Sequence, residues 1–442
     1  METISNKIFQ TYDIRGRYPK DINADVSWRL GYFLPLLLEQ EKIINKKRMK
    51  IVVGRDARLS GLILIKNFIR GLVQNNVEVV DAGVITTPML YFIIKKFNFD
   101  LGIIITASHL NQNYTGFKIF NNDLETLGGE YLSKYPDFFN QPIVIKFAKG
   151  KILRKNFDGE YLNFLFKQID IQKNFSMSSK IKILICCPKA LGLILEKIKK
   201  QLKLNLQFVH RPIAKRLILK RGIDLMVQFD DDGDRVYFFD KQGQQFLGDY
   251  VGALFLEFVK NFLPKKIILD FRCGSFLTEL AKKYYFQVIF SPAGHSYFKN
   301  AMRQNKALLG IEKSGHYYWK KFFYADAGLF SFLTVLKIIS LKGQSLEDLL
   351  KKFEKNIVLP EMNFSIKDKN KIPAILKKIE KYFSKKGKIT KIDGLTVKGK
   401  GFRFNIRHSH TEPNVIRLNI EAESNDILQI QLKQLKKLLA SQ

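Results

Sequence analysis

The chain has 442 residues, and its 74 lysine and arginine residues against 41 acidic residues give a formal net charge of +33. With 46% hydrophobic residues the composition excludes a fibrous or disordered chain, and the length suits roughly three or four domains. The cysteines Cys186, Cys187 and Cys273 have the spacing of neither a disulfide framework nor a zinc site, so we predict that they are small core residues.

The positive charge fits either a nucleic-acid partner or a basic surface without one. Pairs of adjacent lysines recur along the whole chain, beginning for example at Lys46, Lys199 and Lys377, instead of forming one block. We therefore expect small anionic substrates and no nucleic-acid partner.

The longest apolar stretch near the start, residues 30–38, is interrupted by Pro35. It is far shorter than the roughly 20 residues of a membrane span, so we predict a buried helix there and no membrane partner. Residues 1–12 lack the pattern of a secretory signal, and we expect a cytoplasmic protein.

In chain order, one pattern occurs three times: apolar strands alternate with helical stretches, and the last strand ends in a polar loop. The first repeat predicts strands at 50–54, at VEVVDAG and at 101–108, with helices from about residue 60 and after Pro88. The second opens at KIKILICCP and closes at Asp230, and the third opens at KKIILDF and closes near Gly315. Such alternation predicts mainly parallel sheets covered on both faces, with ligands outside the carboxyl ends of the strands. After about Leu359 the pattern changes to that of a small α+β domain.

An acidic turn in the second repeat, DLMVQFDDDGDRVYFFD at residues 224–240, places three carboxylates at alternating positions between two strand-like runs. Gly233 lets the backbone bend, and carboxylate oxygens suit a hard ion such as Mg²⁺. Arg235 is placed to pair with a phosphate or another oxyanion. An acidic hairpin turn without a metal fits DDDGD alone equally well. The three acids are Asp230, Asp232 and Asp234.

The polar loop of the first repeat, TASHLNQNYTGFK, places Ser108 where a buried strand breaks into a turn. We expect this position to expose the hydroxyl, which suits a nucleophile or a phosphoryl carrier. His109 and Lys118 are candidates for proton transfer or charge stabilisation. Ordinary turn chemistry also accounts for a Ser-His pair in a loop.

Three further segments carry polar groups. A carboxylate, a hydroxyl and an imidazole that suit sugar hydroxyls occur in GIEKSGHYYW. An imidazole and an ammonium group occur in SPAGHSYFK. Many hydrogen-bond donors for an oxyanion occur in RHSHTEP. Of the six histidines only His210 lies outside these polar loops, and this clustering argues for a functional site.

Together these segments resemble the α-D-phosphohexomutases, the phosphoglucomutase and phosphomannomutase superfamily, over essentially the whole chain. Four loops match in the family's order: TASHLNQNYTGFK resembles its phosphoserine loop, FDDDGDR its metal loop, GIEKSGH its sugar loop and RHSHTEP its phosphate loop. TYDIRGRYP and GRDARLSG also resemble family signatures, and GHSYFK and YTGFK look most like bacterial enzymes that use both glucose and mannose phosphates.

The resemblance implies reversible phosphoryl transfer between the 1- and 6-positions of mannose or glucose phosphates through a phosphoserine and a hexose 1,6-bisphosphate intermediate. It implies that Ser108 carries the phosphoryl group and that Mg²⁺ binds the three acids together with a phosphoserine oxygen. By the same resemblance the catalytic groups would be Lys118, His295 and His109, and the transfer site would be lined by Arg235, Tyr12 and Arg15. The sugar hydroxyls would bind to Glu312, Ser314 and His316. The non-reacting phosphate would bind to Arg407, Ser409, His410 and Thr411.

The resemblance also implies an α/β protein of four domains around a central cleft, three mixed α/β sheet domains followed by a small C-terminal α+β domain. We predict boundaries at 1–146 for the serine-loop domain, 147–247 for the metal-loop domain, 248–358 for the sugar-loop domain and 359–442 for the phosphate-loop domain. A monomer or a weak dimer is expected.

Two departures from the family pattern bear on activity. Leu110 and Asn111 stand where Asn-Pro is usual, so the serine loop lacks the stiffness of proline. Asp231 stands where the metal loop usually has glycine, and we expect its side chain to point away from the metal and to be dispensable. A phosphoglucosamine mutase, or a mutase-like protein that binds sugar phosphates with low activity, fits the sequence as an alternative.

Overall fold

The structure is a computed structural model, and the strands among its described residues form four sheets. It describes residues 3–440 except 11–12, 45, 47, 109, 145–149, 172–174, 176, 179, 210–221, 355, 410–411 and 413. The chain divides into two compact units: Met1–Gln245 with Tyr318–Gly343 form unit 1, and Phe246–Tyr317 with Gln344–Gln442 form unit 2. The α/β class with mixed sheets in several domains is therefore confirmed, whereas the four domain boundaries and the central cleft stay predictions.

The first sheet of unit 1 has six strands in the order β1-β5-β4-β2-β3-β6. Strands β4, β2, β3 and β6 run parallel to one another, and β5 and β1 are antiparallel additions at one edge. Every residue of β4 is buried, as expected for an interior strand covered on both faces. The strands are β1 (Ile14–Arg17), β2 (Met49–Arg55), β3 (Val77–Val84), β4 (Leu101–Ile105), β5 (Tyr114–Asn121) and β6 (Lys151–Arg154).

The helices of this region cover the sheet, and α1 contains Pro35 as a buried residue, which confirms the predicted buried helix. Helices α1 and α2 pack closely because a glycine on each helix faces the backbone of the other helix. A Cβ on Gly31 would lie 2.1 Å from the carbonyl oxygen of Phe68, and one on Gly71 would lie 2.2 Å from that of Trp28. The helices are α1 (Ala24–Gln40), α2 (Leu59–Leu72), α3 (Thr87–Phe97), α4 (Gly129–Leu132) and α5 (Pro136–Phe139).

The second sheet of unit 1 has the order β10-β9-β7-β8, with β8, β7 and β9 parallel and β10 antiparallel to β9. Strands β9 and β10 flank the acidic turn, which confirms the predicted hairpin. The elements are α6 (Asp158–Ile169), β7 (Lys182–Cys186), α7 (Lys189–Leu202), β8 (Asn205–Val209), β9 (Leu225–Phe229) and β10 (Val236–Phe239).

Unit 1 also takes in the later segment Tyr318–Gly343. An aromatic cluster joins this segment to the earlier helices: the ring of Phe164 on α6 stacks on Phe323 at 5.2 Å and meets Phe322 edge-on at 5.8 Å and Phe92 of α3 at 5.0 Å. A long buried helix that begins at Gly328 follows, α11 in chain order (Gly328–Lys342), after the short strands β14 (Tyr317–Trp319) and β15 (Ala325–Asp326).

In unit 2, β11 (Lys266–Asp270) pairs in parallel with β12 (Gln287–Ser291) and β13 (Leu309–Ile311). The helices around them are α8 (Gly248–Phe258), α9 (Ser275–Lys283), α10 (His295–Gln304) and α12 (Leu346–Lys351). The strands alternate with helices as predicted, and β13 ends directly before the loop that begins at Glu312.

The last sheet is antiparallel along β18, β19, β20 and β21, with β16 and β17 both on β21. Two helices, each with one apolar face, cover this sheet, which confirms the α+β fold predicted for the chain after about residue 359. The elements are β16 (Ile357–Val358), β17 (Met362–Ser365), α13 (Ile372–Phe383), β18 (Gly387–Thr390), β19 (Leu395–Gly399), β20 (Phe402–His408), β21 (Val415–Ala422) and α14 (Asn425–Ala440).

Two smaller expectations are also tested. Cys186, Cys187 and Cys273 are buried, as predicted. Within the described ranges of the chain, no helix is both long and apolar enough to cross a membrane.

Candidate active site

The serine loop follows β4 in unit 1. Ser108 has a left-handed backbone, with φ of 53°, and its amide donates to the hydroxyl oxygen of Thr106 at 2.9 Å. Non-glycine residues in this conformation are uncommon and store local strain that the surroundings have to hold. The expectation of an exposed Ser108 is wrong for this structure, because the residue is only 2% exposed.

The side chain of Arg58 binds the backbone of this loop. Its guanidinium donates to the carbonyl oxygens of Ser108, Leu110 and Asn111 at 2.8, 2.6 and 2.7 Å. Its Nε donates to the carboxylate of Asp56 at 3.1 Å, and both residues are buried. The planar guanidinium therefore binds three backbone carbonyl oxygens of the loop at once, which the compact ammonium group of a lysine could not do.

The acidic hairpin brings three buried carboxylates together. One oxygen from each lies within 4.8 Å of the others, and the residues are 9%, 0% and 2% exposed in chain order. Gly233 has φ of 74°, which confirms its predicted role in the bend. The hydroxyl and the amide of Thr87 at the start of α3 donate to the side chain and backbone of the middle acid at 2.8 and 2.9 Å. The three acids are Asp230, Asp232 and Asp234.

Helix α11 approaches the hairpin from the later segment of unit 1. A Cβ on Gly328 would lie 2.8 Å from the carbonyl oxygens of Gly233 and Arg235. Only glycine permits this approach, so the first residue of α11 forms one wall of the metal loop.

Lys118 of β5 lies against two of the acids. Its ammonium donates to the carboxylate of Asp232 and, at 2.9 Å, to that of Asp234. Burial lowers the pKa of Lys118, but the two carboxylates outweigh burial and raise it. Burial also raises the pKa of Asp230 well above its usual value, and the charges of Asp234 and Asp232 raise it further.

These residues fit a divalent cation. Oδ1 of Asp232 is buried and has no hydrogen-bond partner in the described part of the chain, although such an oxygen is costly to bury unpaired. Three carboxylates in contact repel one another, and a hard cation with oxygen ligands at this point relieves the repulsion. The arrangement therefore suits a metal better than it suits an acidic turn that faces water.

Two arginines lie beside this group. Nε of Arg235 is 3.6 Å from a carboxylate oxygen of Asp230, and its amide donates to the other oxygen at 3.1 Å. Arg15 on β1 pairs with Asp13 at 2.7 Å and lies opposite Gly116, two residues before Lys118. The predicted residues Tyr12 and His109 lie outside the described residues.

In unit 2 the sugar loop follows β13. The carboxylate of Glu312 is 3.4 Å from Nδ1 of His316, which also contacts the hydroxyl of Ser314 at 2.9 Å. Burial raises the pKa of Glu312, but His316 and the guanidinium of Arg272 together bring it below its usual value. Arg272 is 3.2 Å from Glu312 and also pairs with Asp270.

The phosphate loop of unit 2 follows β20. Arg407 is 5% exposed, and burial followed by the charge of Arg272 lowers its pKa. The hydroxyl of Ser409 accepts from the amide of Glu412 at 3.2 Å, which folds the loop back on itself. His295 begins α10, directly after Gly294 with φ of 129°. The predicted residues His410 and Thr411 lie outside the described residues.

Three residues escaped the sequence reasoning. Arg58 lies in GRDARLSG, a segment that resembles a family signature but for which the sequence analysis assigned no role to any residue. Thr87 and Arg272 stand in ordinary strand-to-helix turns, and no motif in the sequence marks them as functional. The structure collects the serine loop, the acids, Lys118, Arg235 and Arg15 within unit 1, and Glu312, Ser314, His316, Arg272 and Arg407 within unit 2. The roles of these residues stay predictions.

Comparison with known proteins shows the family of this chain. Residues 6–133 match the family "Phosphoglucomutase/phosphomannomutase, alpha/beta/alpha domain I", and residues 247–356 match the corresponding domain III. The phosphomannomutase of Methanocaldococcus jannaschii is 31% identical, with 98% of this chain and 97% of that protein aligned. The phosphomannomutase/phosphoglucomutase of Pseudomonas syringae is 30% identical over 95% of this chain and 92% of that protein.

A crystal structure of a phosphoglucomutase/phosphomannomutase family protein from Burkholderia thailandensis shares the fold, with a TM-score of 0.83 and 24% identity over 99% of this chain and 98% of that one. The chain therefore belongs to the phosphoglucomutase/phosphomannomutase family of the α-D-phosphohexomutases. It is an isomerase of carbohydrate metabolism, a phosphohexose mutase.

Proposed function

We propose that this enzyme interconverts the 1- and 6-phosphates of mannose and glucose by passing a phosphoryl group through Ser108. One observation carries the proposal: the guanidinium of Arg58 donates to the carbonyl oxygen of Ser108 at 2.8 Å and to the carboxylate of Asp231 at 2.5 Å. The serine loop and the acidic loop are thus tied together by one side chain, as a phosphoryl carrier beside a metal site requires.

In the proposed cycle the free hydroxyl oxygen of a hexose monophosphate attacks the phosphorus of phospho-Ser108. The bond from phosphorus to the serine Oγ breaks and Oγ takes up a proton, the sugar hydroxyl gives up its own proton, and a hexose 1,6-bisphosphate forms. After reorientation the hydroxyl of Ser108 loses its proton as Oγ attacks the other phosphate, whose sugar oxygen leaves and takes a proton. The phosphoserine is regenerated and no cofactor is consumed.

The residues of unit 1 divide this work. Asp230, Asp232 and Asp234 would hold a divalent cation, for which we propose Mg²⁺, together with a phosphoserine oxygen. When bound, this cation neutralises charge on the phosphoryl group as it passes. Lys118 supplies positive charge next to the acids, and Arg235 and Arg15 orient phosphate oxygens with guanidinium forks.

Residues of unit 2 would bind sugar hydroxyls and a phosphate group. Glu312 and Ser314 offer an acceptor and a donor for sugar hydroxyls, and the contacts of His316 to both keep them oriented. Arg407 is buried, the charge of Arg272 lowers its pKa, and its guanidinium would bind a dianionic phosphate.

We propose mannose phosphate as the first substrate and glucose phosphate as the second, because relatives that are 31% and 30% identical are named phosphomannomutase and phosphomannomutase/phosphoglucomutase. Glucosamine phosphate is the less favoured choice, since the N-acetylphosphoglucosamine mutase of Aspergillus fumigatus shares only 12% identity. We further propose a cytoplasmic enzyme that is a monomer or a weak dimer.

The test is turnover of mannose 1-phosphate, glucose 1-phosphate and glucosamine 1-phosphate, each primed with its 1,6-bisphosphate in the presence of Mg²⁺. We expect the highest kcat/KM with mannose, lower activity with glucose and the lowest with glucosamine. Preference for glucosamine 1-phosphate would overturn the choice of sugar, and tight binding of all three without turnover would overturn the proposed reaction.

A further inference from the structure

Asp231 is the one acid of the DDDGD turn outside the group of three, and it has a different partner. Its Oδ2 accepts from Nη2 of Arg58 at 2.5 Å, and its side chain is 53% exposed. Arg58 itself is 9% exposed. A bond from a buried, planar guanidinium loses less conformational entropy than an ordinary surface pair, and it is less screened by solvent.

The remaining donors of Arg58 hold the serine loop. In addition to Ser108, Leu110 and Asn111, the carbonyl oxygen of Tyr114 accepts from its Nη1 at 3.2 Å. One guanidinium therefore contacts four backbone carbonyls of the loop, and Asp231 and Asp56 supply its two carboxylate partners.

The serine loop has limited means of keeping its shape alone. Its internal backbone bonds include those from Leu110 to Ala107 at 3.2 Å and from Tyr114 to Asn111 at 3.0 Å, and residues 106–118 contain no proline. Ser108 also has the strained left-handed conformation described above. Such a conformation persists only where neighbouring groups hold it, and the fork of Arg58 is one such group.

We propose that Asp231 is a positioning residue: through its ion pair with Arg58 it fixes the serine loop against the metal loop and keeps Ser108 in the conformation that accepts and donates phosphoryl groups. The sequence-based expectation that Asp231 is dispensable is thereby replaced. The pair acts in place of the stiffness that proline gives such a loop. The inference rests on the proposed function of Ser108.

The first experiment compares the full-length enzyme with Asp231→Asn, which keeps the shape and removes the charge. Phosphoryl loading from glucose 1,6-bisphosphate is followed by rapid quench and intact mass, and hydrogen exchange is measured on the peptide that covers 106–118. We expect loading to slow about tenfold with KM changed less than about twofold, and exchange in the peptide to rise. Asp158→Asn is the matched control, because Asp158 pairs with Lys197 at 2.9 Å between two helices of the same unit.

The second experiment adds Asn111→Pro, which restricts the loop by a different means. If Asp231 acts by holding the loop, proline should recover at least about threefold of the loading rate lost in Asp231→Asn. Asp231→Glu should also recover part of the rate, because it restores the charge. Fully additive effects of the two substitutions would overturn the proposal, as would loading and loop exchange in Asp231→Asn equal to those of the control.

Failure of the proposed function would look different. If the wild-type protein took up no phosphoryl group at all, Ser108 would not be the carrier. Hydrogen exchange in the loop would then test by itself whether the ion pair between Asp231 and Arg58 holds the serine loop. Increased exchange in Asp231→Asn would support this role, and unchanged exchange would overturn it.

Discussion

Removal of one charge from the acidic hairpin should stabilise the metal-free enzyme. A carboxylate oxygen of each of the other two acids lies within 4.8 Å of one of Asp230, so at an effective dielectric constant of 20 each repels an ionised Asp230 by at least about 3.5 kcal/mol. Nε of Arg235 lies 3.6 Å from a carboxylate oxygen of Asp230, and this attraction offsets the repulsion by about 4.6 kcal/mol at the same dielectric constant. The substitution Asp230→Asn removes all three terms and keeps an oxygen for the amide of Arg235, so we expect a net gain of about 2 kcal/mol without metal.

The assay is thermal denaturation of wild type, Asp230→Asn and the control Asp158→Asn, each with EDTA and with saturating Mg²⁺. A gain of this size raises the melting temperature of a large unit by about 4 °C with EDTA. With Mg²⁺ the difference should shrink or reverse, since a cation at 100 times its Kd stabilises the wild type by about 2.7 kcal/mol and the variant by less. A lower melting temperature of Asp230→Asn with EDTA would refute the reasoning, because it would show that the hairpin is not under repulsion.

Three further predictions concern activity. Ser108→Ala should abolish most turnover and all phosphoryl uptake from labelled hexose bisphosphate; intact mass measures the uptake, and a label that stays on the variant would contradict the assignment. Asp234→Asn should weaken activation by Mg²⁺, seen as a higher metal concentration at half-maximal rate, and an unchanged metal titration would remove this residue from the ligand set. Arg407→Ala should lower kcat/KM by about one to two decades, the cost of about 1.5 to 3 kcal/mol for a lost charge-assisted bond to phosphate, and unchanged steady-state kinetics would remove this residue from the phosphate clamp.

The sequence predicts the features of this structure that depend on local pattern. The strand ends before Asp230 and Glu312 follow from apolar runs that stop at polar residues, and the bend at Gly233 follows from a residue that tolerates positive φ. Strand β4 ends at Ile105, whereas the predicted strand continued to Ser108. The burial of Ser108 does not follow from any local pattern. It depends on Arg58, which is 50 residues away from Ser108 and 173 residues away from Asp231 in the chain.

The same limit applies to Arg272. Its contact to Glu312 requires two parallel strands to end side by side, and the position of one strand next to another is a property of the sheet. Residues that carry a family motif were therefore predictable, and residues that act through long-range contacts were not.

The late segment of unit 1 has a consequence for the order in which the protein forms during synthesis. The ring of Phe164 stacks on Phe323, and Gly328 lies against the carbonyl oxygens of Gly233 and Arg235. A ribosome that has reached residue 245 has therefore made the serine loop and the acidic hairpin but not the residues that pack on them. It has to add almost 100 residues more, among them much of unit 2, before the first unit is complete. We expect a fragment that stops at Gln245 to expose an aromatic surface and to bind chaperones, and the first chain able to hold the metal loop in its final shape extends to about residue 343.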